Sequence, residues 1–145
     1  MRLYLDNCCF NRPFDDQRNM RNRLETDAKI HIQSLIRAGK HELIWSYILE
    51  YENSFNPHED RRSNTLTWKE LAVEHCIETD SIKDRANSIK ALGVRTKDAL
   101  HVSCAIESEA DFLITTDDGL LNKTIDRITI INPIDFVLKE VGYDN

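Results

Sequence analysis

Short apolar runs with almost no polar interruption are what most constrain the fold of this chain. They are Leu3-Tyr4-Leu5, Leu43-Ile44-Trp45, Phe112-Leu113-Ile114 and Ile128-Thr129-Ile130-Ile131. A half-exposed strand alternates apolar and polar residues; a strand covered on both faces reads as continuous apolar sequence. The stretches between the runs carry helical spacing. Strands alternating with helices predict an α/β fold with a mainly parallel sheet.

The helical stretches have legible ends. From Met20 to Ala38, the apolar residues Leu24, Ala28, Ile32, Leu35 and Ile36 share one face, and Gly39 is a natural stop. A helix is expected from Tyr47, ending before Asn56-Pro57, and another over Thr65 to Ala72 with Leu66, Trp68 and Leu71 as its contacts. Asp80 or Ser81 caps a helix closed by Gly93, and Thr96 caps the next. Asn132-Pro133 reads as N-cap and first-turn proline of a last helix through Val141. Asn7 to Asp16 reads as a loop, His58 to Asn64 as a surface turn, and Cys76-Ile77 as a short strand.

A length of 145 residues fits one domain, 1–145, burying about 68–70% of its unfolded surface. Seven Gly and Pro residues are too few for a disordered linker. No apolar run approaches the ~20 residues that span a bilayer, and no signal-peptide core opens the chain, so a cytoplasmic protein without membrane attachment is expected. Cys8, Cys9, Cys76 and Cys104 match no zinc-finger spacing and read as reduced thiols; Cys8 and Cys9 are expected to be small buried hydrophobes. The net charge of −6 argues against a broad basic surface for nucleic acid. It leaves a nucleic-acid enzyme open, because acids gathered at a metal site account for much of it.

Four acids mark that site. Asp6 follows the first apolar run, Glu52 lies in the helix after the second, Asp98 opens a helix, and Asp117 follows Phe112 to Thr116. Parallel strands share one carboxyl edge, where ligands bind. Carboxylates gathered there repel one another and require a cation. Oxygen donors select Mg²⁺ or Mn²⁺, which lower the pKa of a bound water and stabilise charge developing on a phosphoryl group. Each acid alone has a plain alternative: strand terminus, helix acid, dipole partner or cap. The set is what points to phosphoryl chemistry.

Tyr4-Leu5-Asp6-Asn7, Ser46 with Glu52, Lys97-Asp98-Ala99-Leu100-His101-Val102-Ser103-Cys104-Ala105 and Leu113-Ile114-Thr115-Thr116-Asp117-Asp118 resemble, in order, the four signature stretches of PIN-domain proteins. The resemblance spans nearly the whole chain. It implies a three-layer α/β/α, doubly wound sheet and metal-dependent endoribonuclease activity on single-stranded RNA. It also implies the role of toxin in a toxin–antitoxin pair, with an antitoxin protein partner and a homodimer. Asp6, Glu52, Asp98 and Asp117 match the family's metal-binding and catalytic acids. Thr115 matches the hydroxyl residue that supports them, and Asn7 stands near the family's polar amide. That amide commonly lies two residues after the first acid, where this chain has Cys8. Glu50 competes with Glu52, and the spacing from Ser46 favours Glu52.

His101 reads as structural, facing the core or a neighbouring strand. Arg12 reads as a solvated loop arginine, Asp118 as a cap, and Trp45 and Trp68 as core or interface anchors. The rival function is a catalytically silent binding module on the same fold. An aspartyl phosphoacceptor is a third reading, weakened by the lack of an evident lysine arrangement.

Overall fold

The computed structural model describes residues 1–142; residues 143–145 of the expected domain lie outside the described part. Its strands are β1 (Arg2–Leu5), β2 (Glu42–Ser46), β3 (Glu74–Cys76), β4 (Phe112–Ile114) and β5 (Thr129–Ile131). Its helices are α1 (Asn7–Asn11), α2 (Met20–Arg37), α3 (Tyr47–Ser54), α4 (Glu59–Leu71), α5 (Asp80–Lys90), α6 (Thr96–Glu107), α7 (Asp118–Leu121) and α8 (Pro133–Glu140), with a 3₁₀ turn over Arg12–Phe14.

The strands form one sheet in the order β3-β2-β1-β4-β5, and every pairing is parallel. From central β1 the chain moves outward through β2 and β3, then crosses back to add β4 and β5 on the other side. The right-handed crossover rule sends the two sets of helices to opposite faces, so the sheet is doubly wound and three layers deep. Leu3, Tyr4, Leu5, Ile44, Leu113 and Ile114 are fully buried, as continuous apolar strands require. The winding reverses between β1 and β4, and the crevice beyond their carboxyl ends receives the chemistry.

Several local expectations change. Asn7 to Asp16 is helical rather than a loop: Asp6 caps α1 by accepting from the Cys9 backbone N–H. His58 to Asn64 is not a turn, because residues from Glu59 onward wind the first half of α4. Its polarity belongs to a solvated helix held mainly by buried Thr65 and Trp68, while Leu66 and Leu71 remain exposed. The buried face of α2 includes Glu25, Lys29 and Gln33, while Leu24 is exposed. Gly39 does close α2, at φ 76°, the left-handed region glycine enters freely. Thr79, not Asp80 or Ser81, caps α5, and α6 starts at Thr96 with Arg95 preceding it. The third strand starts at Glu74, two residues before the expected Cys76, and ends at Cys76 rather than Ile77.

Candidate metal and phosphodiester site

Asp6 leaves β1 with its backbone N–H still bonded to the Ile114 carbonyl, so its position is set by the sheet. The side chain is buried. Its Oδ2 accepts from Thr115 Oγ1 at 2.5 Å, and Oδ1 accepts from Cys8 Sγ at 2.7 Å. Thr115 Oγ1 in turn accepts the Asp117 backbone N–H at 3.1 Å. One buried hydroxyl thus joins the acids that end β1 and β4. Asp117 Oδ1 accepts from the Gly119 N–H at 2.9 Å and caps α7. Asp118 is not that cap; it pairs with Arg21 at 2.8 Å.

Asp98 stands in the first turn of α6, where the helix dipole favours a carboxylate. Arg95 reaches Asp98 Oδ2 at 3.1 Å and Asp117 Oδ2 at 2.5 Å. The cation expected among the acids is therefore represented by a guanidinium on a largely exposed side chain.

Glu52 faces the same cleft from α3, and its carboxylate pairs with His101 Nε2. His101 Nδ1 meets Tyr4 Oη at 2.6 Å, and that oxygen meets Ser46 Oγ at 2.6 Å. In a neutral His101, Nε2 donates to Glu52 and Nδ1 accepts from Tyr4. His101 is thus placed against a site acid as well as a core strand. Glu50 points elsewhere, accepting from Trp45 Nε1 at 2.9 Å and Lys69 Nζ at 2.8 Å.

The cleft holds about 360 Å³ and is lined by Asp6, Asn7, Cys8, Glu52, Asp98, His101 and Asp117, with Arg95 at its side. All four acids singled out in the sequence reach it, and Thr115 lies beneath. Asn7 contributes to the wall. Cys8, expected as a plain hydrophobe, instead contacts Asp6 and lies 3.4 Å from Thr115 Oγ1. Cys9 is the buried one. Arg12 is no free loop cation: it bonds Asp15 at 2.9 Å and Asn22 at 2.8 Å. Arg95, Tyr4, His101 and Cys8 were the residues that sequence reasoning missed as site neighbours. For Cys8 the available signal was its place where the family carries an amide.

Burial, followed by the neighbouring Cys8, raises the Asp6 carboxyl well above its ordinary range. Asp98 is also raised, by burial first and then by the charge of Asp117. Both carboxyls favour the protonated form even though Asp6 accepts three hydrogen bonds and Asp98 pairs with Arg95, so a hard cation would stabilise their ionised forms further. Among the described residues, Asp6, Cys8 and Cys9 offer three ligating atoms within 4.8 Å of one another; the four acids are spread more widely. Wider spacing fits Mg²⁺, which keeps several waters, and a nearby sulfur is better tolerated by Mn²⁺.

The raised values set a pH dependence. Without a cation, the folded chain binds more protons than the unfolded chain between pH 3.8 and the raised folded values. Stability from these two groups therefore rises as pH falls through that window and is fully present below it. Asp6→Asn removes part of this dependence. In EDTA near neutral pH it is expected to melt at or above the wild type, and scanning calorimetry across the pH range checks it. A lower midpoint at every pH would mean that the ionised Asp6 is already stabilised by its three donors.

No helix among the described residues is long and apolar enough to cross a membrane. No protein-family model matches the chain, and no curated protein matches it. A solved structure does: a chain of the crystal structure of VapBC2 from Rickettsia felis bound to a DNA fragment from their promoter. The two share 17% identity with a TM-score of 0.58, over 91% of this chain and 98% of that one. At that identity the likeness is one of fold, an α/β domain built on a parallel sheet.

Proposed function

We propose that this chain is a divalent-metal-dependent endoribonuclease, folded as one domain over residues 1–145 and cutting single-stranded RNA. The observation that carries the reading is the convergence of Asp6, Glu52, Asp98 and Asp117, from four separate elements, on one cleft at the switch point of the sheet. Asp6, Asp98 and Asp117 would hold Mg²⁺ or Mn²⁺, with Glu52 completing the site directly or through water. The metal supplies an acidified water and charge stabilisation at phosphorus. Thr115 fixes Asp6 relative to Asp117, and His101 with Tyr4 fixes Glu52. The solved relative is a VapBC2 complex with promoter DNA. That likeness supports a toxin role with an antitoxin partner; a homodimer and a cytoplasmic setting belong to the same proposal.

Cleavage of a mixed-sequence single-stranded RNA in Mg²⁺, in Mn²⁺ and in EDTA tests the reading. Metal-dependent cutting is expected; intact RNA with folded protein in every condition would overturn it. Tyr4→Phe removes the hydroxyl between Ser46 and His101. Outer supports of this kind are worth about 10–100-fold, so kcat should fall by that factor while RNA binding holds. An unchanged kcat would detach Tyr4 from Glu52.

One observation favours the alternative of a catalytically silent binding module. Arg95 already bridges Asp98 and Asp117, so those two acids have a partner without metal. In that case neither Mg²⁺ nor EDTA would move the melting midpoint.

A further inference from the structure

Two large aromatic side chains stand in solvent directly beside the acidic cleft. Tyr51 and Phe55 lie one turn apart on and just after α3, at 51% and 67% exposure. Their rings meet edge to face with centroids 4.9 Å apart. Lys97 Nζ lies 5.9 Å from the centre of the Tyr51 ring. Aromatic area of this size is ordinarily buried, so its exposure beside a site calls for an occupant.

The surroundings narrow the occupant. Phe55 lines a hollow of about 330 Å³ with Asn11, Asn56, His58 and Arg61. Lys97 and Arg95 line another of about 360 Å³. Both hollows and the acidic cleft share Glu52 as a common wall, so the three form one trough running past the acids. Apart from Phe55 and Pro57, the described residues that line the two flanking hollows are polar or charged, whereas the core of a protein–protein interface is depleted of charge. The platform is also held in place. Arg62 Nη1 donates to the Asn56 carbonyl at 2.9 Å, and Asn53 Nδ2 donates to the Arg62 carbonyl at 3.1 Å, tying the turn after α3 to α4.

We propose that Tyr51 and Phe55 form a base-stacking subsite for single-stranded RNA, with Lys97 and Arg61 placed for the flanking phosphates. Single-stranded RNA is bound by this combination of exposed aromatic faces and adjacent cations, since every base presents a π-face. The arrangement also answers the charge problem. A chain with net charge −6 lacks a broad basic surface, so stacking next to a few local cations must supply the hold. This inference rests on the nuclease reading and adds the place where the substrate strand lies.

Fluorescence anisotropy of a labelled single-stranded RNA 12-mer, with the full chain in Ca²⁺ to screen the acids, tests it without requiring turnover. Tyr51→Ala and Phe55→Ala should each weaken binding by about five- to hundred-fold, the range for loss of one stacked base. Tyr51→Phe should bind as the wild type does, because the face is retained. An abasic strand of equal length should bind weakly to the wild type and be indifferent to both alanine changes. Equal affinity of wild type and alanine variants for the RNA would overturn the subsite, whether or not the protein cuts RNA. So would sedimentation showing that the alanine variants dissociate a dimer while RNA affinity stays unchanged, since the patch would then join two copies of the chain. Loss of binding in the alanine variants from a protein that never cuts RNA would sink the nuclease and leave the subsite standing.

Discussion

Asp98→Asn is expected to fold normally and to cut single-stranded RNA about 1000-fold more slowly than the wild type in Mg²⁺. The magnitude follows from the several kcal/mol of charge stabilisation that a correctly held cation provides, at about 1.4 kcal/mol per tenfold in rate. The amide preserves the shape of the carboxylate and removes one of the charges that hold the cation. It also removes an ionised group that burial and Asp117 disfavour. In EDTA the variant should therefore melt no lower than the wild type, which separates lost chemistry from lost structure. The loss of the ion pair with Arg95 costs little, because that arginine is 76% exposed and returns to water. Single-turnover cleavage rates beside melting midpoints decide the matter. Cutting at the wild-type rate would remove Asp98 from the site or assign the activity to a contaminant.

The sheet and the four acids were legible because they follow from local composition. A run such as Phe112-Leu113-Ile114 can be satisfied only by cover on both faces. A polar residue soon after such a run lies beyond the carboxyl edge of the sheet, so Asp6, directly after Leu5, and Asp117, three residues after Ile114, declared their location. The neighbours of those acids were hidden because their partners are distant in sequence. His101 and Glu52 are 49 residues apart, and Tyr4 and His101 are 97 apart; Thr115, 109 residues from Asp6, was reached only through the family resemblance. No spacing rule connects them before strand order is known. The polar stretch from His58 to Asn64 was misleading for another reason. A solvated helix face and a surface turn have the same composition, and the anchor that decided between them, Trp68, lies beyond it. Arg95 was overlooked because a lone basic residue before a helix ordinarily faces water.

A second large effect is expected at Glu25, which does not itself line the cleft. This carboxylate is fully buried, yet it carries three polar neighbours. Arg21 Nε donates to it at 3.1 Å, and Asn132 Nδ2 at 2.5 Å. Arg12 Nε lies 3.2 Å away, an ionic contact without hydrogen-bond alignment. Glu25 therefore ties α2 to the turn after α1 and to the cap of α8. Glu25→Ala should cost about 3–5 kcal/mol, because removing one partner of a buried ion pair strands the other. At this chain length that is a fall of about 10–15 °C in melting midpoint. Arg12, whose side chain is only 18% exposed, keeps Asp15 and Asn22 through Nη1 but is left with a buried Nε that faces no charge; Arg21 is 46% exposed and can turn to solvent. Glu25→Gln keeps an acceptor for Arg21 and Asn132 and should lose roughly half as much. The effect should also reach the site. Arg21 donates to the Thr116 carbonyl at 3.0 Å and grips Asp118, so it holds the segment on either side of Asp117. A destabilised variant that still folds at low temperature should accordingly require more Mg²⁺ for half-maximal cleavage. A midpoint within about 2 °C of the wild type would mean that Arg12 finds water once Glu25 is gone, and that the buried pair adds little net stability.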